Sequence, residues 1–135
     1  MLLVASLAGA GCTHLCRDMG FAESGHVQIE IPVPSGAAAP TVRICVEDLC
    51  GTDGATGESL GVSAIDGRYT AVVPPGSKVL RLKRVRVRLT IDGRDADVLA
   101  APVIEHPNGA GCDPALRVTR LVYRPATNVL EPVTR

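Results

Sequence analysis

The chain of 135 residues is long enough for one domain with a sizeable core and too short for two once a leader is set aside. Fourteen Lys and Arg balance fourteen Asp and Glu, which removes any global attraction to nucleic acid or acidic lipid and leaves charge to act locally. One Phe, two Tyr and no Trp offer no stacking platform for sugars or single-stranded nucleic acid, and fourteen Gly with ten Pro interrupt the chain too often for long helices, so composition predicts an all-β domain.

Residues 2–11, LLVASLAGAG, are apolar or small, carry no charge and end at Cys12. That pattern resembles a bacterial lipoprotein signal. The resemblance implies cleavage after residue 11, a diacylglyceryl group on Cys12 and anchorage at the outer face of the plasma membrane. Gly9 stands where a large aliphatic residue is usual, and no Lys or Arg precedes the run. A plain secretory leader and a buried first strand are the alternatives, since ten residues are too few to cross a bilayer as a helix. Residues 12–25 then read as a tether and 26–135 as the domain.

Alternation of apolar and polar residues predicts a first strand at His26–Ile31, and PVPSGAAAP connects it to a strand at Val42–Val46. VRICVEDLCGT reads as a hairpin with Glu47-Asp48 at its tip and Cys45 opposite Cys50. After the turn-rich GTDGATGE, Ser59–Ala64 and Gly67–Val73 form a second hairpin about Asp66-Gly67. Val85, Val87, Leu89 and Ile91 alternate with Arg84, Arg86, Arg88 and Thr90, the signature of a strand wet on one face. Leu80 and Leu82 hold the opposite parity, so Lys83-Arg84 marks a bulge or a strand end. Asp92-Gly93 turns the chain into Asp97–Ala101, HPNGAGCDP is a loop, and strands at Arg117–Tyr123 and Asn128–Leu130 close the domain, with Val118, Leu121 or their neighbours inward. Seven or eight short strands at this spacing predict a Greek-key β-sandwich with immunoglobulin-like layering.

With Cys12 lipidated, Cys16, Cys45, Cys50 and Cys112 remain, an even set suited to an oxidising compartment. A two-residue hairpin loop makes Cys45 and Cys50 a non-hydrogen-bonded pair, within disulfide reach. The Glu-Asp tip is poor turn chemistry, so the crosslink would hold the hairpin, at about 2 kcal/mol for so short a loop. Cys16 is left for Cys112, a bridge worth about 4.5 kcal/mol on the same chain-entropy model. A zinc site built from Cys45, Cys50, His106 and Cys112 is the disfavoured alternative, and the sequence calls for no metal or other cofactor.

Two stretches carry resemblances. CVEDLC together with the later PNGAGCDP resembles small exported proteins and lipoproteins of actinobacteria that share a Cys-x4-Cys hairpin and a late PNG-x-x-C loop, which implies a β-sandwich envelope protein of no known activity. AIDGRYTAVVPPGSKVLRL is similar to the core of carboxypeptidase-regulatory-like and transthyretin-like modules, which implies the same sandwich class.

Catalytic signals are poor. Gly61-Val62-Ser63-Ala64-Ile65 lacks the second glycine of a nucleophile elbow, and His14, His26 and His106 are dispersed. Asp92, Asp95 and Asp97, like Glu47-Asp48, read as solvated turn carboxylates and not as a calcium loop. The one sharp feature is the basic run, which sets Arg84, Arg86 and Arg88 on one strand face about 7 Å apart, a spacing able to follow the phosphates of an anionic envelope polymer. The competing reading is a face that deters edge aggregation and is offset by acids, of which Glu23, Glu30, Glu47, Asp48, Asp53, Glu58 and Asp66 lie upstream. These readings converge on a non-catalytic envelope lipoprotein that binds or scaffolds. A secreted accessory or inhibitor module docking an exported protein through an uncovered edge strand comes next, and an envelope hydrolase last.

Overall fold

The computed structural model describes residues 24–112 and 115–133. Ten strands are assigned within them: β1 Ser24–Glu30, β2 Val42–Val46, β3 Leu49–Thr52, β4 Gly61–Ile65, β5 Arg68–Val73, β6 Val85–Ile91, β7 Arg94–Ala100, β8 Val103–Glu105, β9 Leu116–Arg124 and β10 Val129–Pro132. One sheet runs β10-β9-β1-β5-β4, with β8 also on β9, and the other runs β3-β2-β6-β7. The two sheets pack face to face as an all-β sandwich, and alternate residues of most strands supply the core. Ile29, Leu121 and Tyr123 from the first sheet meet Ile44, Val87 and Leu89 from the second, all fully buried. Alternation was therefore a sound guide to which side chains lie inside.

The Asp-Gly hairpins form as their chemistry requires. Asp66 and Gly67 have φ of 51° and 77°, and Asp92 and Gly93 have 48° and 81°, the double left-handed conformation of a type I′ turn. Gly51 is demanded by a different cause. The connection to β4 brings Leu60 back over the sandwich edge, and a Cβ at Gly51 would lie 2.2 Å from the Leu60 carbonyl oxygen.

Several expectations are corrected. Lys83-Arg84 is neither a bulge nor the end of an upstream strand but a bend just before β6 begins at Val85, because Lys78–Arg81 is a single 3-10 turn capped by the Ser77 hydroxyl, which accepts the Val79 N–H at 3.2 Å. That turn buries Val79 and Leu80 over one end of the sandwich, so Leu80 reaches the core without belonging to a strand. β1 begins at Ser24, which takes the last two residues from the expected tether. β8 precedes the His106 loop where no strand was expected. β1 and β9 pair in parallel, Val27 beside Thr119 and Ile29 beside Leu121, within sheets otherwise antiparallel. Val118 and Leu121 are three apart and cannot share a face. Leu121 enters the core, whereas Val118 is buried on the opposite side, beside His26.

Cys45 and Cys50 are cross-strand partners with Cα atoms 4.0 Å apart and are joined by a disulfide, which removes the zinc alternative. Cys112 is buried and disulfide-bonded, and the expected pairing with Cys16 lies outside the described residues, as do the leader, Cys12 and His14.

Candidate functional site

The arginines singled out by alternation lie on the outer face of the second sheet, where β6 is flanked by β2 and β7. Arg86 and Arg88 belong to β6, and Arg84 falls just before it, in a bend. All three are exposed. β7 answers with acids in register: Asp97 is the cross-strand partner of Arg88, and its Oδ2 receives Arg86 Nη1 at 3.1 Å. Thr90 Oγ1 donates to Asp95 Oδ1 at 2.7 Å beside them. On the other flank Arg43 Nη1 donates to Glu58 Oε2 at 2.6 Å and to Thr52 Oγ1 at 3.0 Å. The offsetting acid for Arg86 comes from β7, not from the upstream acids, and the face carries mixed charge. Arg84 and Arg88 take no ion-pair partner among the described residues.

The other candidate residues stay apart. His26 is half-buried on the outer face of the first sheet, and His106 Nδ1 lies 3.0 Å from the Cys112 carbonyl oxygen in the 106–112 loop. Ser63 is exposed on β4. Asp92 Oδ1 accepts the Thr41 N–H at 3.0 Å, so the three carboxylates after β6 serve three separate partners. Among the described residues no group of three or more His, Cys, Asp or Glu is arranged to hold a metal ion.

A concave surface forms where it was not expected, at the end of the sandwich opposite the 3-10 turn. PVPSGAAAP, read only as a connection, arches over the end of the sheets and leaves a cleft of about 660 Å³. Pro32, Pro34 and Pro40 form its roof, Ile91 and Tyr123 its floor, and Pro125 and Ala126 of the β9–β10 turn one wall. Proline fixes φ, so the roof is pre-set in shape. Tyr123 is held by its own hydroxyl, which donates to Asn128 Oδ1 at 2.7 Å. Arg94 stands at the mouth. It is the cross-strand partner of Ile91, whose side chain is buried, so the pleat turns Arg94 toward the core-facing side of β7. No carboxylate pairs with it among the described residues. Asp92 also lines the cleft, its carboxylate engaged by the Thr41 N–H. An apolar cleft with the unpaired Arg94 guanidinium at its rim can hold an apolar body and contact an anionic head. Its signal in the sequence is a connecting segment, PVPSGAAAP, in which only Ser35-Gly36 interrupts proline, alanine and valine.

Comparison with protein-family models, with curated proteins and with solved structures found no match. The residues and the fold alone therefore define the class, an all-β sandwich with a disulfide-closed hairpin.

Proposed function

We propose that this protein is a non-catalytic binding or scaffolding domain of the cell envelope, held at the outer face of the plasma membrane by lipid on Cys12, with the loop-end cleft as its contact region. The Cys45–Cys50 disulfide is compatible with an extracytoplasmic setting and supports the export half of this reading. The binding half is carried by one observation, the apolar cleft with unpaired Arg94 at its mouth, which suits an anionic amphiphile. The arginine face is the lesser candidate for a polyanion, because Arg86 is committed to Asp97 and acids interleave the rest.

Titration of the full chain with the anionic amphiphilic dye ANS tests the cleft. Saturable binding is expected, abolished by Ala37→Trp, which fills the space, and weakened roughly ten-fold by Arg94→Glu through loss of one charge-assisted contact. Binding unchanged in both variants would remove the cleft from consideration. Metabolic labelling with a palmitate analogue, lost on Cys12→Ala, tests the anchor, and charge reversal of Arg84 and Arg88 tests retention on a polyanion without touching the Arg86–Asp97 pair.

A further inference from the structure

The chain closes most of its sheet edges with its own groups. On β3 the Cys50 N–H donates to Ser59 Oγ at 2.9 Å, the Cys50 carbonyl accepts the Leu60 N–H at 3.0 Å, and the Thr52 N–H donates to Glu58 Oε1 at 2.9 Å. On β7 the Asp95 carbonyl accepts from Asn128 Nδ2 at 2.9 Å, and Asp95 and Asp97 line the strand with charge. The outer side of β9 is taken by β8 and β10.

β4 is different. Its pairs with β5 run Ile65–Arg68, Ser63–Thr70 and Gly61–Val72 outward from a two-residue turn, and these carry the hydrogen bonds. The N–H and C=O groups of Val62 and Ala64 consequently point away from the sheet, and neither residue hydrogen-bonds to another described group along that edge. GVSAI has no charge and no proline, the devices that ordinarily stop one edge from pairing with another. Two of its residues have no explanation within a single chain. Ile65 is 75% exposed, and Gly61 lacks a positive φ and would have nothing within 4 Å of an added Cβ.

An antiparallel two-fold centred on Ser63 explains both. It places Ile65 of each copy opposite Gly61 of the other, so the large exposed side chain lands where a side chain is missing. The same register makes Val62 and Ala64 of opposite copies hydrogen-bonded partners, four backbone bonds in all, using the groups that β5 leaves free. Charge permits the approach, since the edge is neutral and Lys plus Arg equal Asp plus Glu at 14 each. We propose that β4 pairs with β4 of a second copy in this register, joining two first sheets into one. Five residues a side bury well under the ~1,200 Å² of a stable complex, so the dimer is weak and concentration-dependent.

Oxidative crosslinking of the full chain with its native disulfides intact tests the register. Ser63→Cys puts two thiols at the two-fold as a non-hydrogen-bonded pair, with Cα atoms about 4.5 Å apart. Ile65→Cys, though more exposed, puts them about 14 Å apart. We expect covalent dimer to form roughly ten-fold faster from Ser63→Cys than from Ile65→Cys, and sedimentation to show a monomer–dimer equilibrium that Ile65→Lys and Ala64→Pro each shift to monomer. Ile65→Lys alters only an exposed side chain and so keeps the test valid if the proline variant unfolds. Monomer at every concentration, a dimer indifferent to Ile65→Lys, equal crosslinking at both positions, or strand addition by a different polypeptide to a monomeric chain would each overturn the proposal.

Discussion

The Glu47 carboxylate accepts the backbone N–H of Arg86 at 2.6 Å, and the Glu47 N–H donates to the Arg86 carbonyl at 2.9 Å. Glu47 has a φ of 55°, which ends the regular run of β2 alongside β6 at Val46 and Val87. The side chain supplies the acceptor for the next rung. The hairpin with the unfavourable Glu-Asp tip is thus restrained twice, by the disulfide on one face and by this carboxylate on the neighbouring strand.

Glu47→Ala should cost about 1 kcal/mol, the worth of one hydrogen bond, and Glu47→Gln less because an amide oxygen still accepts. Denaturant unfolding measures both. Reduction of Cys45–Cys50 should cost a further ~2 kcal/mol. In the reduced Glu47→Ala protein the Arg86 amide should exchange with solvent through local opening of the tip, which hydrogen exchange reads directly.

Gly51→Ala should destabilise the fold by about 3 kcal/mol, the upper part of the range for overpacking, because the contact is with backbone and cannot be relieved by a rotamer change. Gly61→Ala, with open space about it, should leave the monomer's melting temperature unchanged. Thermal unfolding of the pair of variants at low concentration separates the two kinds of glycine.

Glu58 seals the β3 edge, and its hydrogen bond from the Arg43 guanidinium, helped by Thr52, holds its carboxyl below the ordinary value of 4.5. A lowered folded pKa stabilises wherever the carboxylate is ionised. The contribution is complete above 4.5 and is lost as pH falls through the lower folded value. Thr52 amide exchange should therefore accelerate, beyond its intrinsic pH dependence, only on acidification below 4.5, and Glu58→Gln should abolish that pH-dependent component.

Asn128 ties the two sheets together, accepting from Tyr123 and donating to the Asp95 carbonyl, from a φ of 54° that suits asparagine. Tyr123→Phe should cost about 1 kcal/mol, with the ring still filling the core. Asn128→Ala should cost more, about 2 kcal/mol, since it frees both partners and keeps the strained backbone. Chemical denaturation of the two variants ranks them.

Much of the sandwich was legible because the signals are local. Val85–Ile91 alternates with arginine and threonine because one face of β6 meets the core and the other meets water, and the strand covers all of that pattern except Arg84, which lies just before it. Asp66-Gly67 and Asp92-Gly93 specify type I′ turns through their tolerance of positive φ, and Cys45-x4-Cys50 fixes a crosslink once those residues face each other across a two-residue turn.

What only the tertiary structure decided depends on residues distant in sequence meeting at one place. The parallel pairing of β1 with β9 sets Leu121 inside and turns Val118 to the other face, a choice of parity that the strand by itself leaves open. Asp97 neutralises Arg86 because the β6–β7 register brings it there, although the upstream acids are more numerous. The cleft beneath Pro32 and Pro40 and the uncovered edge of β4 are properties of what packs beside them. A residue's own chemistry sets its preference for water or core, whereas its partner is set by which strand the whole fold places alongside.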